Sequence, residues 1–411
     1  MKIALLHYSA LPVVGGVERV IGQHARLMAD AGHEVRVVAG RGAQVDKRIR
    51  FARIAALDSR HAQVLKIKAE LDVGRLPVGF APFAERLASW LRRLLADVDV
   101  VIAHNVASLH KNLALTAALR QLRDAGTTTR LILWHHDLAW TTPRYRAELH
   151  NGYPWDLLRT DWPGVQHVAV SELRQRELAG LLGLPAARIA VVPNGIDIAA
   201  FLKLEPMTVG FVKQLSLLSS RPLLLLPVRI TRRKNIELAL HLLAALRQSY
   251  PRAALVVTGP LGPHDPTNIQ YFESLTALRA QLGLTGAAHF LTGLTREVLP
   301  DAVIADFYRL ADGLFLPSRE EGFGLPLLEA GLAGVPVFCS DIEPLRKLGG
   351  AEAVYFSPDA APAELAARIV SRLEADPAFG LRQRVREQYA WEGIYQARIA
   401  PLLEIRNRDE N

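Results

Sequence analysis

Two carboxylates stand eight positions apart in Ser318-Arg319-Glu320-Glu321-Gly322-Phe323-Gly324-Leu325-Pro326-Leu327-Leu328-Glu329, on either side of a glycine-rich turn. The apolar run Gly313-Leu314-Phe315-Leu316-Pro317 before it predicts a buried strand, and Pro326 suits the first turn of a helix. Gly322 and Gly324 lack the Cβ that keeps a ligand away from the backbone. The product is a strand–turn–helix with an open helix N-terminus, which attracts anions, flanked by the acceptors Glu321 and Glu329. Eight helical residues rise about 12 Å, whereas a hydrolase pair needs roughly 5–9.5 Å between carboxyl groups. Glu321 and Glu329 are therefore read as gripping different parts of one elongated ligand rather than as an acid–base pair.

Three further constellations could bear on the same ligand. Pro227-Val228-Arg229-Ile230-Thr231-Arg232-Arg233-Lys234-Asn235 ends another apolar run, and Arg229 with Lys234 suits a diphosphate; a basic loop facing water fits this segment equally. Gly15-Gly16-Val17-Glu18 precedes a helix and lacks the Gly-x-Gly-x-x-Gly spacing of a dinucleotide fingerprint. It can still bring backbone N–H groups to a phosphate or sugar, or be a plain flexible turn. In Trp134-His135-His136-Asp137 adjacent side chains on a strand face opposite ways, so one histidine at most faces a ligand and a two-histidine metal site is disfavoured.

The elements that must hold these residues alternate strand and helix over nearly all 411 residues. Strands are expected at 2–9, 34–39, 99–104, 130–134, 166–170 and 189–193, with helices at 17–31, 108–124 and 171–182. A second series has strands at 222–228, 253–258, 288–291, 313–317, 335–340 and 354–356, with helices at 235–250, 268–282, 300–311 and 362–374. Each series suits an open doubly wound sheet, whose ligands bind beyond the carboxyl ends of the strands. The expected organisation is a first domain over 1–200, a second over 201–385, and a terminal helical segment over 386–411 that crosses back to the first. Their join falls near 198–220, with a cleft between the two sheets.

Half the residues are hydrophobic and 22% charged, an ordinary globular balance. The single Cys339 excludes an internal disulfide and a cysteine zinc site, and suits a reducing cytoplasm. No run approaches the roughly 20 apolar residues of a membrane span, and the first residues are too short an apolar run for a signal peptide. A formal charge of +8 leans towards anionic partners, and nothing forms the basic tail that would favour nucleic acid. The helix pattern over 83–96, with Trp90, Arg86, Arg92 and Arg93, fits a core-packed helix better than a membrane-docking face, although peripheral contact with the inner face of a membrane stays open. Pro260-Leu261-Gly262-Pro263-His264-Asp265-Pro266 reads as a rigid strand-end loop. Trp140, Tyr145, Tyr153, Trp155 and Trp162 suit either sugar stacking or the packing of a long loop.

Together, Gly15-Gly16-Val17-Glu18, His136-Asp137, Val170-Ser171-Glu172, Val192-Pro193-Asn194-Gly195-Ile196-Asp197, Arg229 with Lys234, and Glu321 through Glu329 resemble the retaining glycosyltransferases of family 4. The resemblance implies the GT-B fold, two Rossmann-like domains facing each other across a cleft, and a nucleotide-diphosphate sugar donor with UDP, GDP or ADP. It implies that Arg229 and Lys234 hold the diphosphate, Glu321 the sugar hydroxyls and Glu329 the ribose. Gly15 and Gly16 would approach the phosphate, and His136 the donor sugar near the reacting carbon. Thr292 and Gly293 would lie near the base, with Gly322, Phe323, Gly324 and Leu325 completing the donor site. No metal or other cofactor is implied, and no protein nucleophile, since same-face attack passes the acceptor proton to the departing phosphate. The acceptor (a sugar, a lipid-linked sugar or a small metabolite) is left open. An epimerase or a phosphorylase of the same fold is the nearest alternative. The segment Asp341-Ile342-Glu343-Pro344-Leu345-Arg346-Lys347-Leu348-Gly349-Gly350 departs from the looser version many members carry.

Overall fold

The computed structural model describes residues 1–126, 129–261, 267–295 and 298–404. Residues 262–266 of the expected 260–266 loop lie outside them. The chain divides into two compact units, one of Met1–Gly195 with the segment from Trp391, the other of Ile196–Ala390. In both, unbroken apolar runs become strands buried on both faces, as a parallel sheet between helix layers requires.

The first unit holds β1 (Lys2–Ser9), β2 (Glu34–Arg41), β3 (Arg50–Arg53), β4 (Val100–His104), β5 (Arg130–His135), β6 (Gln166–Ala169) and β7 (Ile189–Val191). They form one parallel sheet in the order β3-β2-β1-β4-β5-β6-β7. Around it lie α1 (Gly16–Asp30), α2 (Ala62–Leu71), α3 (Phe80–Leu94), α4 (Leu113–Asp124) and α5 (Glu172–Leu182). The strand order reverses between β1 and β4, the place where open sheets part their loops and admit ligand. Helix α4 starts later than the periodicity predicts because Asn112 caps it, its side chain accepting from Leu115 N at 3.1 Å. Strand β3 is absent from the sequence reading: four residues at a sheet edge, two half-buried between two exposed arginines, carry too little pattern to announce a strand. Phe80, Phe83, Ala84, Leu87, Ala88 and Leu91 of α3 are all buried, so its apolar stripe faces the core while its arginines, Glu85, Ser89 and part of Trp90 meet solvent. No helix among the described residues is long and apolar enough to cross a membrane. Trp155 and Trp162 are likewise buried in the core, and Arg159 lies 4.1 Å from the Trp140 ring, so this aromatic loop packs on itself.

The second unit opens with α6 (Ile198–Leu202) and α7 (Pro206–Gln214), where the sequence reading places only a join. Then come β8 (Leu223–Leu226), α8 (Ile236–Ser249), β9 (Ala254–Val257), α9 (Thr267–Gln281), β10 (Ala288–Phe290), α10 (Asp301–Leu310) and β11 (Gly313–Leu316). The series ends with α11 (Leu325–Ala333), β12 (Val337–Ser340), α12 (Glu343–Gly349), β13 (Val354–Phe356), α13 (Pro362–Glu374) and α14 (Pro377–Gln388). The parallel order β10-β9-β8-β11-β12-β13 reverses between β8 and β11. Cys339, in β12, is fully buried, and burial pushes its thiol up to about 12.

Each unit has a buried polar knot that makes its own demand. In the second, Asp312 accepts from Leu223 N at 2.8 Å, Gln383 Nε2 at 2.9 Å and Arg386 Nη1 at 3.1 Å, tying β8, β11 and α14 together. Asp312→Ala would strand the buried Arg386 guanidinium, so urea unfolding should show about 3–5 kcal/mol lost from this unit, against a small effect for the exposed Asp359→Ala. In the first, burial holds His7 down to about 4, and His24 and His136 down to about 3. Unfolding therefore takes up protons below pH 6.5, so stability is complete above that value and falls as pH drops towards the folded values. Each histidine costs about 1.4 kcal/mol per pH unit in that window. The midpoint of urea unfolding of the first unit should fall steeply from pH 7 to pH 5, and a flat profile would contradict the burial.

Candidate functional site

In the second unit the expected binding residues gather where the strand order reverses. β8 ends at Leu226 and the chain passes Arg229 to a short 3-10 turn, Arg232–Lys234, before α8. β11 ends at Leu316 and passes through Ser318–Gly324 to α11. Three contacts stitch the two turns together. Arg319 N donates to Arg233 O at 2.8 Å, Arg233 Nη1 donates to Glu320 O at 3.2 Å, and Lys234 Nζ donates to Glu321 Oε1 at 2.5 Å. Ser318 Oγ donates to the same Oε1 at 2.6 Å, and Arg233 Nη1 lies 3.9 Å from Oε2.

The two charged groups are less than a tenth exposed. Burial lowers the Lys234 ammonium below its usual range, with Glu321 opposing that shift. An ammonium carries three donors and a carboxylate about four acceptor sites, so the pair leaves Lys234 donors and Glu321 Oε2 for a ligand. Arg229 is exposed and has no hydrogen bond or ion pair among the described residues, so its fork is free. Its backbone is held by a feature the sequence reading overlooks: a Cβ on Gly259 would sit 1.9 Å from Val228 O and 2.6 Å from Arg229 N. Only glycine lets the ends of β8 and β9 close up here.

Gly324 caps α11 at φ 107°, and a Cβ there would meet Leu345 at 2.6 Å. Both the backbone and the packing of α12 thus require glycine. Gly322, by contrast, faces open space, and Phe323 and Leu325 are exposed. Glu329 lies one turn into α11, where Tyr308 Oη donates to its Oε2 at 2.6 Å. Burial and this contact push the Tyr308 hydroxyl far above its ordinary range, so it stays a donor and fixes the carboxylate. Glu321 and Glu329 thus have different partners and do not act on one proton. Thr292 and Gly293 fall in the 3-10 turn Leu291–Gly293 after β10, two strands out from β8, with Gly293 exposed. They are on the same sheet edge as the ion pair but not beside it. The departing segment 341–350 forms α12, with Arg346 paired to Asp341.

In the first unit Gly15 caps α1 in extended conformation, and a Cβ there would lie 2.0 Å from Glu18 Oε2. The Glu18 carboxylate curls back over Gly15 and accepts from Ser9 Oγ at 2.6 Å. Gly16 has nothing within 4 Å of where a Cβ would stand, leaving the approach to the helix end open. The alternation expected of the two histidines holds. His135 Nε2 lies 3.1 Å from His167 Nδ1, which leads on to Asp161, while His136 Nε2 lies 3.1 Å from His104 Nδ1. Asn105, at φ 58°, accepts with one side-chain oxygen from the backbone N–H of His136 (2.8 Å) and of Asp137 (3.2 Å). That asparagine is invisible as a site residue in the sequence; its signal is a small polar residue just past a strand, tolerant of left-handed backbone.

Among the described residues one group has metal-like spacing, Asp72, His110 and Glu148. Lys68 Nζ already lies 2.6 Å from Asp72 and 2.7 Å from Glu148, and His110 Nε2 lies 2.6 Å from Glu148. An ammonium stands where a metal would, and the donor set does not suit a cation site.

Comparison with known proteins bears on the two sheets separately. The domain model Glycosyltransferase Family 4 matches residues 14–200, and Glycosyl transferases group 1 matches residues 211–390. The mannosylglucosylglycerate synthase of Thermotoga maritima is 26% identical over 377 residues, 84% of this chain and 83% of that protein. The MMP alpha-(1->4)-mannosyltransferase of Mycolicibacterium hassiacum is 26% identical over 440 residues, 97% of each. The structure of Anabaena Alr3699/HepE with UDP-glucose aligns over 98% of this chain and 100% of that one, at 17% identity and a TM-score of 0.37. With both domain models matched in order over the two parallel α/β sheets, the chain belongs to glycosyltransferase family 4, as a hexosyltransferase of the GT-B fold with two Rossmann-like domains.

Proposed function

We propose that this enzyme moves a hexose from a nucleoside-diphosphate sugar to an acceptor hydroxyl with retention of configuration, and that its second domain carries the donor. The observation that supports this most is the cationic corner between β8 and β11. A free guanidinium at Arg229 lies on the same strand-end edge as a half-paired ammonium at Lys234, which contacts Glu321 in the turn that leads to a helix N-terminus. In this reading the bond from the anomeric carbon to the diphosphate oxygen breaks, the acceptor oxygen bonds to that carbon on the same face, and its proton passes to the departing phosphate. Negative charge grows on the diphosphate, and preorganised cations that need no reorganisation stabilise it. Arg229 and Lys234 take that role, and Glu321 Oε2 accepts from a sugar hydroxyl. Glu329, fixed by Tyr308, accepts from the ribose hydroxyls, and Thr292 and Gly293 are assigned to the base. Gly15, Gly16 and His136 of the first domain are assigned to the phosphate and the sugar, as the family resemblance implies.

The charge stabilisation is assigned to side chains, so turnover should persist in excess EDTA. A relative aligned over 97% of both chains is named for mannose transfer, so GDP-mannose is the first donor to test beside UDP- and ADP-sugars. One of UDP, GDP and ADP should raise the melting temperature far more than inorganic pyrophosphate does. Arg229→Ala and Lys234→Ala should each lower kcat about 100-fold or more with that donor, and Lys234→Ala should also unfold more easily because it strands the buried Glu321 carboxylate. Near-normal turnover in either variant would remove the diphosphate assignment. Product anomeric configuration, read by NMR, tests retention directly.

A further inference from the structure

His136 is held in place by two consecutive residues of another strand, one acting on its backbone and one on its ring. β4 ends at His104, and Asn105 follows it alongside the end of β5. Asn105 N donates to Trp134 O at 2.8 Å. Its side-chain oxygen accepts from His136 N at 2.8 Å and from Asp137 N at 3.2 Å. One residue thus engages three successive peptide groups, those between Trp134 and Asp137. Preceding it in the chain, His104 brings its Nδ1 to 3.1 Å from His136 Nε2, with the two rings stacked at 28°. His136 Nδ1 makes no hydrogen bond among the described residues.

The two holding residues are themselves fixed. Asn105 O accepts from Tyr8 Oη and from Leu109 N, both at 3.1 Å, and His104 O accepts from His7 Nδ1 at 2.7 Å. The His104 ring packs against those of Trp134 and His24. His104 is wholly buried and Asn105 is 2% exposed, so neither is open to a ligand in bulk solvent. Asn105 also takes φ 58°, a left-handed backbone that costs a side chain of this kind some strain. Such strain persists where surrounding contacts over-determine it, and it gathers at functional sites. Two buried N–H groups at a strand end need an acceptor; they do not need one delivered by a strained residue whose neighbour also grips the ring.

We infer that His104 and Asn105 are positioning residues for sugar transfer, acting through His136. Asn105 sets the peptide planes from which the His136 side chain projects, and His104 sets the rotation of its ring, so that Nδ1 is left for the sugar. The inference rests on the glycosyltransferase reading above, in which His136 meets the donor sugar, and adds the residues that aim it. A misplacement of about 1 Å can cost two orders of magnitude in rate, so the effect belongs in kcat.

The test is a pair of double-mutant cycles on the full-length enzyme. The rate measured is release of nucleoside diphosphate, with water as acceptor, from whichever of a panel of GDP-, UDP- and ADP-hexoses it cleaves. Asn105→Gly keeps the left-handed backbone and loses the side-chain oxygen, Asn105→Asp keeps both, and His104→Phe keeps a buried ring without its nitrogens. Asn105→Gly and His104→Phe should each lower kcat about tenfold or more with little change in KM, and Asn105→Asp should keep most of the rate. His136→Ala should lower kcat at least as far. Adding either substitution to His136→Ala should slow it no further, whereas a merely structural role multiplies the losses. Affinity for the free nucleoside diphosphate should stay at the parent value throughout. Each residue stands or falls by its own cycle, so one remains testable if the other variant does not fold. Multiplied losses, or a parental rate in the single variant, overturn that residue's role and leave the donor reading intact. A parental rate in His136→Ala overturns the assignment of His136 and this inference with it, and cleavage of no donor by the parent enzyme overturns the donor reading itself.

Discussion

The buried contact between Lys234 and Glu321 is the constraint around which the second domain is arranged. Removing two charges from water costs several kcal/mol per ion in real proteins, and attraction offsets this only with good geometry and further hydrogen bonds. The domain supplies both: a 2.5 Å contact, the Ser318 hydroxyl on the same oxygen, and Arg233 near the other. Such a pair contributes little net stability, but it fixes where two strand-to-helix turns meet. Those turns follow β8 and β11, which are neighbours in space and some ninety residues apart in sequence. The backbone bond from Arg319 to Arg233 reinforces that meeting, while the closeness allowed by Gly259 fixes the backbone of Arg229 where β8 meets β9, on the same strand-end edge. A ligand arriving there meets a carboxylate with one oxygen occupied and one available. It also meets an ammonium that has already paid for its desolvation.

Much of this was legible in the sequence because it rests on local rules. The apolar runs became the buried strands with ends displaced by one to a few residues, and the glycine–proline punctuation of 322–326 gave the start of α11. Arg229, Lys234 and Glu321 stand at strand ends, where the topology of a doubly wound sheet puts ligands. What was not legible is what depends on partners distant in the chain. Nothing in Ser318, Tyr308 or Gly259 alone says that one hydroxyl holds Glu321, another holds Glu329, or that a strand end needs a missing Cβ. Strand β3 was missed because Arg-Phe-Ala-Arg is an edge element whose partner, not its pattern, makes it a strand. The aromatic stretch from Trp140 to Trp162 offered two readings by composition, and burial chose packing for Trp155 and Trp162 while leaving Tyr153 half exposed.

The two domains present opposite electrostatics at their strand ends. The second concentrates positive charge, with arginines and the ion-paired Lys234. The first concentrates imidazoles, and burial holds those of His7, His24, His104 and His136 neutral. A neutral imidazole has one donor and one acceptor, so a bond at one nitrogen dictates the role of the other. For His7 the carbonyl of His104 makes that choice: Nδ1 donates, and Nε2 is left as an acceptor. In the proposed transfer the departing diphosphate draws on the fixed positive charge of the second domain.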